Sequence, residues 1–138
     1  MKGTPASANS GGVSSTRVHS SVVLTLPQTL AAETFEFARN IALDAIREDS
    51  LRAVILELSN VRVMDSGEFQ QLCAIAGMAR LLGAQAFVVG LRPGVVAYLV
   101  SNDANTEGLQ FERELEDALN RLAAGAADSG DMPAQDPA

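Results

Sequence analysis

The sequence predicts a single α/β domain: a mostly parallel, mixed sheet packed with helices. Three observations carry this. Short runs rich in aliphatic and β-branched residues alternate with longer segments of helical period. The connections between them are short, as in layered α/β folds. Two of the runs, "AVILEL" (53–58) and "AQAFVVGL" (84–91), are apolar almost throughout, as strands covered on both faces are.

The elements follow in order. "RVHSSVVLTL" (17–26) is rich in β-branched residues, contains the lone His19 and closes at Pro27, so it reads as one first strand. Residues 31–49 have helical periodicity, with Phe35, Phe37, Ala38, Ile41, Ala42, Ala45 and Ile46 on one broad face. After the buried strand 53–58, a helix begins behind Asp65 and runs to about Leu82, where Gly83 serves as its C-terminal cap. The strand 84–91 leads into Pro93, which suits the first turn of a helix continued by "GVVAYLVSN". "GLQF" (108–111) reads as a short edge strand. The last helix carries Leu115, Leu119 and Leu122 on one stripe.

Residues 1–16 and 124–138 are dominated by Ser, Gly, Ala and, at the C-terminus, acid. Such compositions bury too little apolar surface to offset their ordering entropy. The expected organisation is therefore a disordered tail (1–16), one domain (17–123) and a second disordered tail (124–138). A domain of roughly 100 residues is close to the commonest size. Hydrophobic residues make up 47% of the chain but aromatics only 4%, so the core must be aliphatic.

Charge narrows the partners. The net charge is -7 with a sequence pI near 4.5, Lys2 is the only lysine, and the arginines are scattered. That balance disfavours nucleic acid and anionic membranes. The single Cys73 excludes an intramolecular disulfide and reads as a packing residue. No signal-like or membrane-spanning run is visible, and a cytoplasmic protein is expected.

Catalytic patterns are wanting. His19 would have to serve any Ser-His-acid triad, and no G-x-S-x-G turn presents a serine. There is no P-loop or dinucleotide fingerprint, and in "GLRPG" (90–94) Pro93 removes an amide that a phosphate cradle would use. No metal, cofactor or catalytic residue is indicated.

The polar junction "MDSGEF" (64–69) stands between two apolar patterns. Asp65 with Glu68 three residues on resembles a capping box, which leaves Ser66 as merely the first helical residue. The same geometry points the Ser66 hydroxyl to solvent. A phosphate there would lie at free helix amides and reverse the character of a docking surface.

"VILELSNVRVMDSGEF" (54–69), "MARLLGAQAFVVGLRPGVVAYLV" (78–100) and "LEDALNRL" (115–122), in this order and spacing, resemble the STAS domain of bacterial anti-sigma-factor antagonists, particularly the stressosome scaffold type. The resemblance covers residues 18 to 123. It implies a non-enzymatic partner-switching regulator that binds a serine-kinase anti-sigma factor or a switch kinase. Phosphorylation of Ser66, directly after the motif's Asp65, would release that partner, and a PP2C-type phosphatase would reset the switch. Co-assembly with other STAS subunits, as a homo- or hetero-oligomer, is implied as well. Asp65, Ser66, Gly67 and Glu68 would form the partner surface, flanked by Gly90, Arg92 and Gly94. Two rival classes remain open: a STAS subunit of a lipid-transport ABC complex that docks on the ATPase, and a small nucleotide-binding protein.

Overall fold

Five strands lie side by side in chain order, and the structure, a computed structural model, describes residues 11–106 and 108–135. The strands are β1 (Ser14–Val18), β2 (Ser21–Thr25), β3 (Ala53–Glu57), β4 (Gln85–Val89) and β5 (Gln110–Glu112). The helices are α1 (Ala32–Asp49), α2 (Ser66–Leu81), α3 (Pro93–Ser101) and α4 (Leu115–Gln135). β1 pairs antiparallel with β2, and every later pair is parallel.

Topology decides where the helices go. Each crossover from β2 to β5 advances one strand in the same direction. Right-handed connections, the strong preference for parallel strands, then place α1, α2 and α3 on one face. The burial pattern agrees. Val22, Leu24, Val54, Leu56, Ala86 and Val88 join buried residues of α1, α2 and α3 in one core. The alternate residues Val23, Ala53, Ile55, Phe87 and Val89 meet Ala118 and Leu122 of α4 on the other face. β3 and β4 are therefore covered on both sides, as their continuous apolar runs predict.

The predicted first strand is in fact a hairpin. His19 has a φ of 55° and turns the chain between β1 and β2, while Ser21, fully buried, donates its hydroxyl to the Val18 carbonyl at 2.7 Å. His19 is thus a turn residue, not a strand residue. The β-branched pattern runs on through a turn that lacks Asn or Gly, which hides the reversal.

The sheet therefore begins inside the expected N-terminal tail. Val13 is fully buried, and the Thr34 hydroxyl donates to the Gly11 carbonyl at 2.9 Å, tying residue 11 to the start of α1. Residues 1–10 lie outside the described residues. At the other end α4 continues through Gln135, beyond the expected boundary at 123. Ala123, Ala124, Ala126 and Ala127, good helix formers, flank Gly125 in this extension. Residues 136–138 lie outside the described residues.

α2 ends as expected. Gly83 has a φ of 90°, and the Gly83 and Ala84 amides donate to the carbonyls of Arg80 and Ala79. Cys73, partly buried on α2, packs against the core and directs its thiol to the Asn105 carbonyl at 3.7 Å. Burial pushes its pKa up.

Candidate functional site

The C-terminal ends of β3 and β4 lead into two loops that meet over the edge of the sheet. The first, residues 58 to 65, is anchored by apolar side chains: Leu58, Val61 and Met64 are buried. Its backbone is fixed at the base, where the Leu58 amide donates to Val89 and the Val61 amide to Leu58, both at 2.9 Å. Arg62 and Val63 turn outward instead, Val63 with 78% of its surface exposed.

The loop enters α2 through a complete capping box. Asp65, in extended backbone conformation, accepts the Glu68 amide at 2.7 Å, and the Glu68 carboxylate accepts the Asp65 amide at 3.0 Å. The Asp65 carbonyl takes the first intrahelical bond, from the Phe69 amide. These bonds satisfy the N3 donor and leave the amides of Ser66 and Gly67, at N1 and N2, facing outward. Ser66 is exposed, and its hydroxyl makes no hydrogen bond among the described residues. Gly67 is exposed beside it.

The capping reading and the accessible-hydroxyl reading are therefore compatible. Asp65 and Glu68 close the helix end on each other, so no helix-stabilising bond uses Ser66. The two carboxylates also hold negative charge beside that hydroxyl.

The second loop supplies Gly90, Arg92 and Gly94. Gly90 has a φ of 77°, and a Cβ there would lie 2.6 Å from Glu57 Oε2 and 3.2 Å from the Ser59 amide nitrogen. Only glycine allows this approach. Arg92 is the N-cap of α3 and donates its Nε proton to the Ser59 carbonyl at 2.8 Å. Gly94, at N2 of α3, has open space around it and no such constraint. The two groups of sequence-predicted residues thus sit at the ends of adjacent parallel strands, where α/β sheets place their sites.

Sequence reasoning missed the residues that join them. Glu57 ends β3 and accepts both the Ser59 amide, at 3.3 Å, and its hydroxyl, at 2.9 Å. Ser59 in turn presents its carbonyl to Arg92. The one available signal was an acid closing an apolar run in "AVILEL".

Among the described residues no three His, Cys, Asp or Glu side chains are placed to hold a metal ion. No helix among them is long and apolar enough to cross a membrane. What the site offers is a rigid, solvent-facing helix end with a free hydroxyl and, beside it, an exposed valine.

This sheet order, the helix end behind β3 and the loop pair define an α/β module with a solvent-facing surface at the C-terminal ends of β3 and β4. The STAS domain family model matches residues 13–118, and the chain belongs to that family. In structure the chain is similar to a serine-to-glutamate variant of RsbS from Moorella thermoacetica, with a TM-score of 0.71 and 23% identity over 83% of this chain and 97% of that one. It is similar to a chain of the stressosome, described as a signal integration and transduction hub, with a TM-score of 0.70 and 22% identity over 81% of this chain and 97% of that one. It also resembles the anti-sigma-factor antagonist SpoIIAA in its unphosphorylated form, with a TM-score of 0.62 and 16% identity over 80% of this chain and 97% of that one. No curated protein matches the chain in sequence.

Proposed function

We propose that this STAS domain is a non-enzymatic anti-sigma-factor antagonist: a cytoplasmic partner-switching regulator of the stressosome-scaffold kind, controlled by phosphorylation of Ser66. Its unmodified surface binds a serine kinase acting as anti-sigma factor or switch kinase. A PP2C-type phosphatase restores that surface, and fellow STAS subunits are the further partners. The observation that carries this reading is the Ser66 hydroxyl, exposed and unbonded at the first position of a helix already capped by Asp65 and Glu68.

The physical logic is economical. A phosphoryl group adds close to two negative charges at pH 7, at a helix end whose free amides favour an anion. The fold keeps its cap because no structural bond uses the serine. The partner, however, meets a charged surface where it previously met Ser66 and Gly67. Like charges juxtaposed across an interface cost several kcal/mol. Among the structural neighbours, SpoIIAA is known in unphosphorylated and phosphorylated forms, which supports looking for the same chemistry here.

The test uses the full chain and a serine kinase of the anti-sigma class from the same genome. Wild type and Ser66→Ala should bind with similar affinity, and Ser66→Asp at least tenfold more weakly, about 1.4 kcal/mol. With ATP, mass spectrometry should place a single phosphate on Ser66. Equal affinity for the alanine and aspartate variants would remove the switch.

A further inference from the structure

We propose that α3 and the groove beside it form a contact surface for a second copy of this chain, packed antiparallel about a two-fold axis. α3 carries no charged residue in its nine positions and buries only Val95 and Leu99. Its other apolar side chains face outward: Val100 is 72% exposed and Val96 41%. Beside them lies a groove of about 640 Å³ whose apolar lining includes Leu91, Leu99 and Phe111. Phe111 belongs to this face because it pairs in register with Val88, which points into the α1–α3 core. Being on the edge strand, it has no neighbouring strand to cover it.

Charge selects the occupant. Val96, Val100 and Asp103 follow at i, i+4 and i+7, so the outer apolar stripe ends in an acid. Asp103 sits just past the C-terminus of α3 with a φ of 52°, its amide donating to the Val100 carbonyl and that of Ala104 to Leu99. An acid there meets the negative end of the helix dipole, and α3 has no basic residue in its last turn to offset it. The opposite end of the groove holds Glu112 and Arg113; the Glu112 carboxylate is paired with Arg121, which leaves the Arg113 guanidinium as the unpaired charge there among the described residues. The Arg113 carbonyl accepts the Gly90 amide, which brings Arg113 beside the amino end of α3, and its side chain lines the same groove. Neither Asp103 nor Arg113 has an ion-pair partner among the described residues.

The surface is therefore complementary to itself. A two-fold axis crossing α3 between Val96 and Val100 sets Val96 against the other copy's Val100. It also brings each Asp103 to the amino end of the opposite α3, where the other Arg113 stands. That is the isologous arrangement in which one patch serves both subunits. Two helices of about 14 Å each and their groove rims bury less than the ~1,200 Å² typical of stable complexes. The dimer is consequently weak, with a dissociation constant on the order of tens of micromolar.

The test is sedimentation equilibrium of the purified full chain from about 1 μM to 1 mM, without any kinase, so it is independent of the role proposed for Ser66. A concentration-dependent dimer is expected. Val100→Glu, at a position exposed enough to leave the fold intact by circular dichroism, should raise the dissociation constant at least tenfold. Asp103→Arg and Arg113→Asp should each weaken the dimer, and the two together should restore it. A monomer across the whole range would overturn the proposal, as would a dimer unaffected by Val100→Glu. Failure of the double charge reversal to restore association would overturn the antiparallel arrangement.

Discussion

Arg92 donates its Nε proton to the backbone carbonyl of Ser59 at 2.8 Å, across 33 positions of sequence. This bond links the loop that leads into Ser66 to the N-terminus of α3, and Glu57 completes the link by holding Ser59 from the other side. Two loops that would otherwise move separately are held as one surface. Arg92→Ala should cost about 1 kcal/mol, the usual worth of a single hydrogen bond. Amide exchange should accelerate at residues 59 to 63 and remain unchanged in β3 and β4. Unchanged exchange in the loop would show that the bond does not restrain it.

The helix cap gives a sharper contrast. Asp65→Ala removes the acceptor for the Glu68 amide and should destabilise the domain by about 1 kcal/mol. For a domain this size that lowers the melting temperature by roughly 4 °C. Asp65→Asn keeps an oxygen at the same position and should lose only a small part of that. Calorimetry on both variants checks the expectation; an equal loss in the two would assign the effect to charge instead.

The capping box was legible in the sequence because its partners lie three residues apart and its geometry is local. The strands β3 and β4 were legible for a related reason: a continuous apolar run is explained by burial on both faces. The β1–β2 hairpin was not legible, because its left-handed residue is His19 where Asn or Gly would have marked a turn. The sheet start at Ser14 was hidden by a serine-rich composition, since Val13 alone supplies buried apolar surface there. Glu57, Ser59 and Arg92 come together only when β3 and β4 pair, and no local pattern contains that information. Gly90 was visible as a residue, but its reason, the approach of Glu57, was not.

That approach makes Gly90→Ala a test of the loop junction. The added methyl would meet the Glu57 carboxylate and force a left-handed backbone on alanine, costing roughly 1–3 kcal/mol. Gly94→Ala, where nothing lies within 4 Å, should be neutral or slightly stabilising in a helix. Chemical denaturation of both variants should separate them clearly. Similar stabilities would mean that the Gly90 conformation is not needed.

Ser66→Asp should leave the fold unchanged. The position is exposed and its side chain holds nothing in place, while an acid in the first turn is favoured by the helix dipole. Asp65 and Glu68 offset part of that gain by repulsion. The net change in stability should stay within about 0.5 kcal/mol, as for ordinary surface substitutions. A loss of several kcal/mol would mean that Ser66 is structural, and a charge-driven partner switch would then be indistinguishable from unfolding.

Cys73 supplies a pH-dependent test. Burial beside the core favours its neutral thiol, so its folded-state pKa lies above the ordinary 9.0. The folded state therefore holds its proton to higher pH than the unfolded state does. The associated stability is fully present below the unfolded pKa and is lost as pH rises through the folded pKa. Wild type should lose more stability than Cys73→Ala when the pH is raised from 8 past 9. At pH 8 the folded protein should also react with iodoacetamide more slowly than a free cysteine peptide, and unfolding in urea should remove the difference. Equal rates in the folded protein and the peptide would show that the α2 surface leaves the thiol solvated, and the contact with the Asn105 carbonyl would then hold no proton in place.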